Sequence, residues 1–178
     1  MNNFEPIVET IINFRKFNEI SDEDMKQITK IWKTSFDKKA NDAIYFLEKT
    51  IIATITIKKK LNKDQEIKKN IVAISFLLFP TIDLLNSRED TYSNIKLQGV
   101  TENDCYLYNL CVKKRKRKNG YGKLILQKCH EYVNMICKKK IILFVENGNI
   151  PAVRLYNNFG YIVHRATPTG FIMEKNLL

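Results

Sequence analysis

The sequence predicts one mixed α/β domain, and three observations carry that prediction. Short runs rich in β-branched residues, such as Ile51 to Ile57 and Ile141 to Val145, read as strands. Apolar residues at three- and four-residue steps, as in Met25, Ile28, Ile31, Trp32 and Phe36, read as the inner face of a helix. The two patterns alternate along 178 residues with no internal repeat and no low-complexity linker, a length that suits a single domain over 1–178.

Taken in order, Ile11 to Phe17 is a short β-prone run. Ser21 opens a helix, with Asp24 at capping-box spacing and the apolar stripe behind it. Asn41 to Lys49 suits a second short helix. Ile51 to Ile57 is a strand, Lys58 to Asn70 turns the chain, and Ile71 to Phe79 is its hairpin partner. Pro80 closes that strand. Thr81 to Asp104 is a long irregular segment, either a passive insertion or a lid over an acceptor site. Cys105 to Lys113 is a strand, and a helix runs from Gly120-Tyr121-Gly122 to about Lys139. Ile141 to Val145 follows as a strand. Asn147-Gly148-Asn149 then turns into a helix with Pro151 near its first position, where a missing N–H matters least. Ala152, Leu155, Tyr156 and Phe159 pack that helix, and Gly160 stops it. Tyr161 to Arg165 and Phe171 to Glu174 close the chain as strands around a turn at Pro168 and Gly170. The order is β-α-α-β-β-β-α-β-α-β-β.

Composition excludes several classes. Hydrophobic residues at 44% and charged ones at 28% are those of a soluble globular protein. No apolar run approaches the roughly 20 residues that span a bilayer, so no membrane partner is expected. Met1 to Glu9 is polar and acidic and does not resemble a secretory signal. Cys105, Cys111, Cys129 and Cys137 sit in apolar surroundings without metal-ligand spacing, so buried free thiols, no metal, and an intracellular, cytoplasmic setting are expected. Lys113 to Lys118 supplies six of the 30 lysines and arginines behind the net charge of +11. The rest is mostly lysine scattered through a chain also rich in Ile and Asn, the trio an AT-rich coding sequence favours. Such a charge argues for attraction to anions, not for a particular partner.

The segment that carries chemistry is strand, basic loop, Arg117-x-x-Gly120-x-Gly122, helix. The first N–H groups of a helix have no intrahelical acceptor, and the macrodipole favours an anion there. Glycines at 120 and 122 allow a turn and the close approach of a diphosphate, and N–H groups from Lys118 to Lys123 could form an anion nest. A P-loop needs a hydroxyl residue after its lysine, whereas Leu124 follows Lys123. A dinucleotide fingerprint needs a third glycine where Ile125 stands. A targeting or nucleic-acid patch would explain the six cations but not the glycines.

Tyr108-Asn109-Leu110-Cys111-Val112 followed by Arg117-x-x-Gly120-x-Gly122 resembles motif A of the GNAT superfamily of acyltransferases. Asn149-x-x-Ala152, Leu155-Tyr156 and Phe159-Gly160-Tyr161 resemble its motif B, so the likeness spans roughly 105–165. It implies a mixed, mostly antiparallel central sheet with helices on both faces and a splayed parallel strand pair at the cofactor site. It further implies that Leu110, Cys111 and Val112 bond the pantetheine arm of acetyl-CoA. Arg117, Lys118, Asn119, Gly120, Tyr121, Gly122 and Lys123 would hold the pyrophosphate, and Asn149 would touch the cofactor. Tyr156 would stand near the CoA sulfur as general acid. Direct attack of an amine in a ternary complex is the implied reaction.

Two departures bear on the base. Relatives that carry Glu or His in the strand before motif B have it where this chain has Phe144, and others carry Glu where Tyr106 stands. Tyr108 and Glu146 remain as candidate bases; His130 and His164 read as structural or exposed. The acceptor could be a protein N-terminus, a lysine, a polyamine or another small amine, with polycations disfavoured by the +11 charge. A homodimer is compatible with the sequence, and nucleic acid is disfavoured as a partner. The rival reading is a catalytically silent module that binds nucleic acid or CoA.

Overall fold

The computed structural model describes residues 7–36, 50–60, 68–81, 85 and 99–177. The helix expected at Asn41 to Lys49 and most of the Thr81 to Asp104 segment lie outside the described residues. The elements are β1 (Ile7–Lys16), α1 (Asp22–Ser35), β2 (Thr50–Lys60), β3 (Lys68–Leu78), β4 (Asp104–Val112), α2 (Tyr121–Met135), β5 (Lys140–Glu146), α3 (Ile150–Asn158), β6 (Ile162–Ala166) and β7 (Gly170–Asn176). The strands form a seven-stranded sheet in the order β1-β2-β3-β4-β5-β7-β6. The sheet is mostly antiparallel, with β4 and β5 parallel. This is the mixed α/β fold expected from the sequence.

Residue contacts group the chain into two units, 1–75 with 109–125 and 76–108 with 126–178. In the first, β1 and β2 pair antiparallel from Ile7↔Lys60 to Lys16↔Ile51. Ser21 caps α1, its Oγ accepting from the Asp24 amide at 3.3 Å. The Asp24 carboxylate does not close a capping box. It takes Arg15 Nη1 at 2.8 Å and so ties α1 to β1. Gln27 reaches the other way, its Oε1 accepting from the Ile71 amide of β3 at 3.0 Å. Between these ties Ile28 and Ile31 are buried, while Phe36, the last member of the expected stripe, is the exposed C-cap. The continuous apolar run Ile71 to Leu78 is buried throughout, the pattern of a strand covered on both faces.

In the second unit the sharpest packing constraint sits where β5 meets β7. Gly170 pairs with Glu146, and a Cβ on Gly170 would run into the Val145 carbonyl oxygen and come within 2.7 Å of Phe144 Cζ. Backbone cannot retreat as a flexible side chain can. Gly170→Ala is therefore expected to destabilise the fold by roughly 1–3 kcal/mol, the usual range for overpacking. Denaturant unfolding checks this, and an unchanged midpoint would refute it.

Helix α2 ends at Met135, four residues before the end expected from the sequence. The cause is a Schellman cap: Lys138 N donates to Val133 O, Cys137 N donates to Asn134 O, and Cys137 takes φ 58°. The residue in the left-handed position is a cysteine rather than glycine, so composition offered no stop signal there.

Candidate active site

Strand β4 changes character partway along. Asp104 to Leu107 pair in parallel with Lys140 to Leu143 of β5. Two residues later Asn109 takes φ 53°, a conformation that asparagine tolerates better than other residues with a Cβ. The kink falls inside a run that otherwise reads as an uninterrupted strand; the one polar residue in Leu107 to Val112 was its signal. Beyond it lie Leu110, Cys111 and Val112, the residues expected to face pantetheine. Cys111 is 4% exposed; its Sγ bonds Asn109 O at 3.3 Å, and burial pushes its thiol up to about 12 despite opposing help from Ser35 and Arg117. A thiol so placed is not a nucleophile near neutral pH.

The basic loop is anchored at both ends. Lys113 N donates to Val72 O at 2.8 Å, and Lys113 Nζ donates to Asn70 Oδ1 at 2.6 Å. Burial, with Lys30 and Lys116 nearby, lowers the pKa of this ammonium. A single 3-10 turn, Lys114–Lys116, follows. Arg117 folds its side chain back so that Nε donates to Val112 O at 3.1 Å. Asn119 Nδ2 donates to Arg117 O at 3.0 Å and Lys116 O at 3.3 Å, knitting the loop to itself.

Lys118 at φ 63° and Gly120 at φ 77° then turn the chain into α2. Leu124 N donates to Gly120 O at 2.9 Å, which makes Gly120 the N-cap. The amides of Tyr121, Gly122 and Lys123 are thus the first-turn N–H groups, which lack acceptors inside a helix. Lys118, Asn119 and Gly120 are exposed, leaving this turn open to a ligand. The first unit therefore presents a kinked strand end, a braced cationic loop and a helix N-terminus as consecutive pieces of chain.

The second unit holds the other expected residues. Asn149 is the N-cap of α3, its Oδ1 accepting from Ala152 N at 3.4 Å. Tyr156, about two turns further on, is 6% exposed. Tyr106 is also buried; burial foremost, then Tyr156, raises its pKa, against a hydrogen bond from the Phe144 backbone. It is accordingly a neutral phenol where some relatives place a carboxylate. Tyr108 stacks on Tyr106 (centroids 6.0 Å) and meets Phe76 at a tilt (5.3 Å, 41°). Glu146 stands exposed at the end of β5. Among the described residues, no group of three or more His, Cys, Asp and Glu side chains could hold a metal. No helix among them is long and apolar enough to cross a membrane.

The sequence matches the family model described as the Acetyltransferase (GNAT) family over residues 8–161. The chain belongs to the GNAT acetyltransferase family. No curated protein matches it in sequence. Among solved structures, it resembles the ribosomal-protein-S18-alanine N-acetyltransferase of Escherichia coli at 13% identity and a TM-score of 0.61, over 94% of each chain. A Bacillus subtilis acetyltransferase in complex with CoA matches at 15% identity and TM-score 0.62, over 96% of this chain and 100% of that one. The PaiA N-acetyltransferase of Thermoplasma acidophilum, in complex with coenzyme A, matches at 15% identity and TM-score 0.59, over 93% and 99%. At these identities the likeness is one of fold, and the family assignment rests on the sequence match.

Two residues of this GNAT chain gained importance only in three dimensions, His130 and Tyr161. His130 Nε2 lies 2.9 Å from Tyr161 Oη, and burial, with Lys175 adding to it, lowers the imidazole to about 4. The unfolded chain, with an ordinary value near 6.5, takes up a proton as pH falls below that point while the folded chain does not. Stability is therefore lost as pH falls from about 6.5 towards 4. His130→Gln is expected to lose less stability between pH 7 and pH 5 than the wild type, read as the shift in urea midpoint. Equal shifts would show that His130 contributes nothing to acid sensitivity.

Proposed function

We propose that this GNAT chain moves the acetyl group of acetyl-CoA to a primary amine by direct attack in a ternary complex, with residues 1–178 acting as one catalytic domain. The observation that carries the proposal is the turn at Lys118 and Gly120, both at positive φ, which opens the N-terminus of α2 within a cationic loop. Its unbonded N–H groups, the helix dipole and the surrounding lysines suit a diphosphate. The CoA present in the Bacillus subtilis and Thermoplasma acidophilum structures supports reading that diphosphate as part of CoA.

In this scheme Arg117 to Lys123 hold the pyrophosphate, chiefly through main-chain N–H groups. Leu110 to Val112 run along the pantetheine arm, and Asn149 contributes a further cofactor contact. The uncharged amine attacks the thioester carbonyl to form a tetrahedral oxyanion. A preorganised backbone N–H near Val112 stabilises it, an effect typically worth about 10²–10³ in rate. Collapse breaks the C–S bond, Tyr156 gives its proton to the departing thiolate, and the proton shed by the former amine nitrogen restores the Tyr156 phenol. The amide product and free CoA leave. Glu146 or Tyr108 takes the proton from the acceptor ammonium. The raised Cys111 pKa supports transfer without an acyl-cysteine intermediate.

The acceptor class covers protein N-termini, lysines, polyamines and small amines. A protein N-terminus gains support from the Escherichia coli relative, whose name gives the alanine of a ribosomal protein as acceptor. Incubation with acetyl-CoA and a panel of these amines should release free thiol with at least one of them. CoA should also displace an anionic fluorescent probe at micromolar concentration. A chain that does not bind CoA at all is not an acetyltransferase.

A further inference from the structure

We infer that Tyr161 and His130 are positioning residues for Tyr156, holding its ring through the C-terminal cap of α3. The inference deepens the acyl-transfer reading and rests on it. Helix α3 closes with a Schellman motif: Gly160 takes φ 78°, Gly160 N donates to Asn157 O at 2.9 Å, and Tyr161 N donates to Tyr156 O at 3.1 Å. This motif commonly brings the side chain after the glycine back onto the residue three from the helix end. Here those residues are Tyr161 and Tyr156, and their rings meet edge-on, centroids 5.5 Å apart at 62°. The spacing Tyr156-x-x-x-Gly160-Tyr161 thus ties the proposed acid to Tyr161 by backbone and ring together.

Tyr161 is 3% exposed, so its hydroxyl lies in the interior and needs a partner. His130 of α2 supplies it at 2.9 Å. The imidazole is itself wedged, lying edge-on to Phe159 (centroids 5.5 Å, 74°), while Lys175 Nζ donates to Phe159 O at 2.5 Å. Packing alone does not call for this arrangement. Phenylalanine at 161 would make the same apolar cap contact without burying a phenol and an imidazole. What the polar pair adds is direction, because a satisfied buried hydrogen bond admits one ring position where a smooth apolar contact admits several. Burial holds the imidazole neutral, which suits a hydrogen bond to a phenol.

Kinetics with the amine that releases thiol fastest provides the test. His130→Ala and Tyr161→Phe should each lower kcat about tenfold and leave KM for acetyl-CoA within about twofold, the mark of a misplaced acid rather than a damaged cofactor site. His130→Gln, long enough to reach Tyr161 Oη, should recover to within about threefold of the wild type. Adding His130→Ala to Tyr156→Phe should cost nothing further, because the group being positioned is already gone. An equal kcat loss in both backgrounds, or an unchanged kcat in His130→Ala, overturns the inference.

A readout that needs no catalysis separates this inference from the acid assignment. In protein carrying tyrosine labelled at the ε carbons, the Tyr156 NMR signal is identified by its disappearance in Tyr156→Phe. It should shift or broaden in His130→Ala and return in His130→Gln; a signal unmoved by His130→Ala rules the positioning out. Full activity in Tyr156→Phe would sink the acid role alone, and the NMR result would still report whether His130 orders the ring.

Discussion

Tyr156→Phe is expected to lower kcat for acetyl transfer by about 10²–10⁴-fold, the usual loss when a general acid is removed. KM for acetyl-CoA should stay within about twofold, because the expected cofactor contacts lie elsewhere, in Leu110 to Val112, in Arg117 to Lys123 and at Asn149. The variant is a clean probe for a structural reason. Tyr156 is 6% exposed and meets Tyr161 through its ring, so phenylalanine keeps the packing and loses only the hydroxyl. Stability should change little, and a thermal melt alongside the kinetics separates lost chemistry from lost fold. The thiolate leaving group explains why the loss falls within that range. Thiolate departs more readily than alkoxide or amide, so protonation assists the step without being indispensable, and leaving groups of lower pKa should narrow the gap between variant and wild type. Full activity in Tyr156→Phe would remove the acid from the scheme while leaving the cofactor loop intact.

The second large effect is expected at Gly120. Gly120→Val should weaken CoA binding about tenfold or more, as measured by calorimetry or probe displacement. Gly120 takes φ 77°, and a Cβ there would meet nothing within 4 Å, so crowding by the protein contributes no penalty. The whole cost is conformational. A β-branched residue resists the left-handed region by at least the roughly 1–2 kcal/mol typical of residues with a Cβ, and 1.4 kcal/mol is a tenfold change in affinity. In the free protein this exposed turn can relax away from φ 77°, so binding has to restore it, and the penalty appears in Kd rather than in stability. Gly148→Ala is the matched control. That glycine also faces open space but is not among the residues at positive φ, so its substitution should leave CoA affinity unchanged. Equal affinity of Gly120→Val and wild type would mean that the turn is not the diphosphate site.

The turn and the helix start of the candidate site are legible in the sequence, because their signals are local. Arg117-x-x-Gly120-x-Gly122 between an apolar strand and an amphipathic helix announces a chain reversal at a helix N-terminus, and α2 begins at Tyr121 as the glycines require. Ser21 marked the start of α1 and Gly160 the stop of α3, each through a hydrogen bond made within a few residues. Where the local signal was missing, the reading failed. Cys137 ends α2 in a conformation usually left to glycine, and nothing in Cys137-Lys138-Lys139 says so. Asp24 stood at capping-box spacing, but Arg15 on a neighbouring strand competed for its carboxylate and won it.

What the sequence by itself determined was the order of the described elements and the exposed glycine turn at the head of α2. Both follow from backbone preferences that act over one or two turns of chain. Tertiary structure alone decided which strands became neighbours. It set β4 beside β5, 36 residues later in register at Cys105↔Ile141 and Tyr106↔Ile142 of comparable apolar character, and made β7 rather than β6 the other partner of β5. Apolar strands of similar length are interchangeable as a pattern, so only the joint packing of all of them selects a pairing. The same holds for the environment of Tyr156. Its place on α3 was readable, whereas the pairing of Tyr161 with His130, 31 positions apart, exists only once α2 and the cap of α3 are packed together.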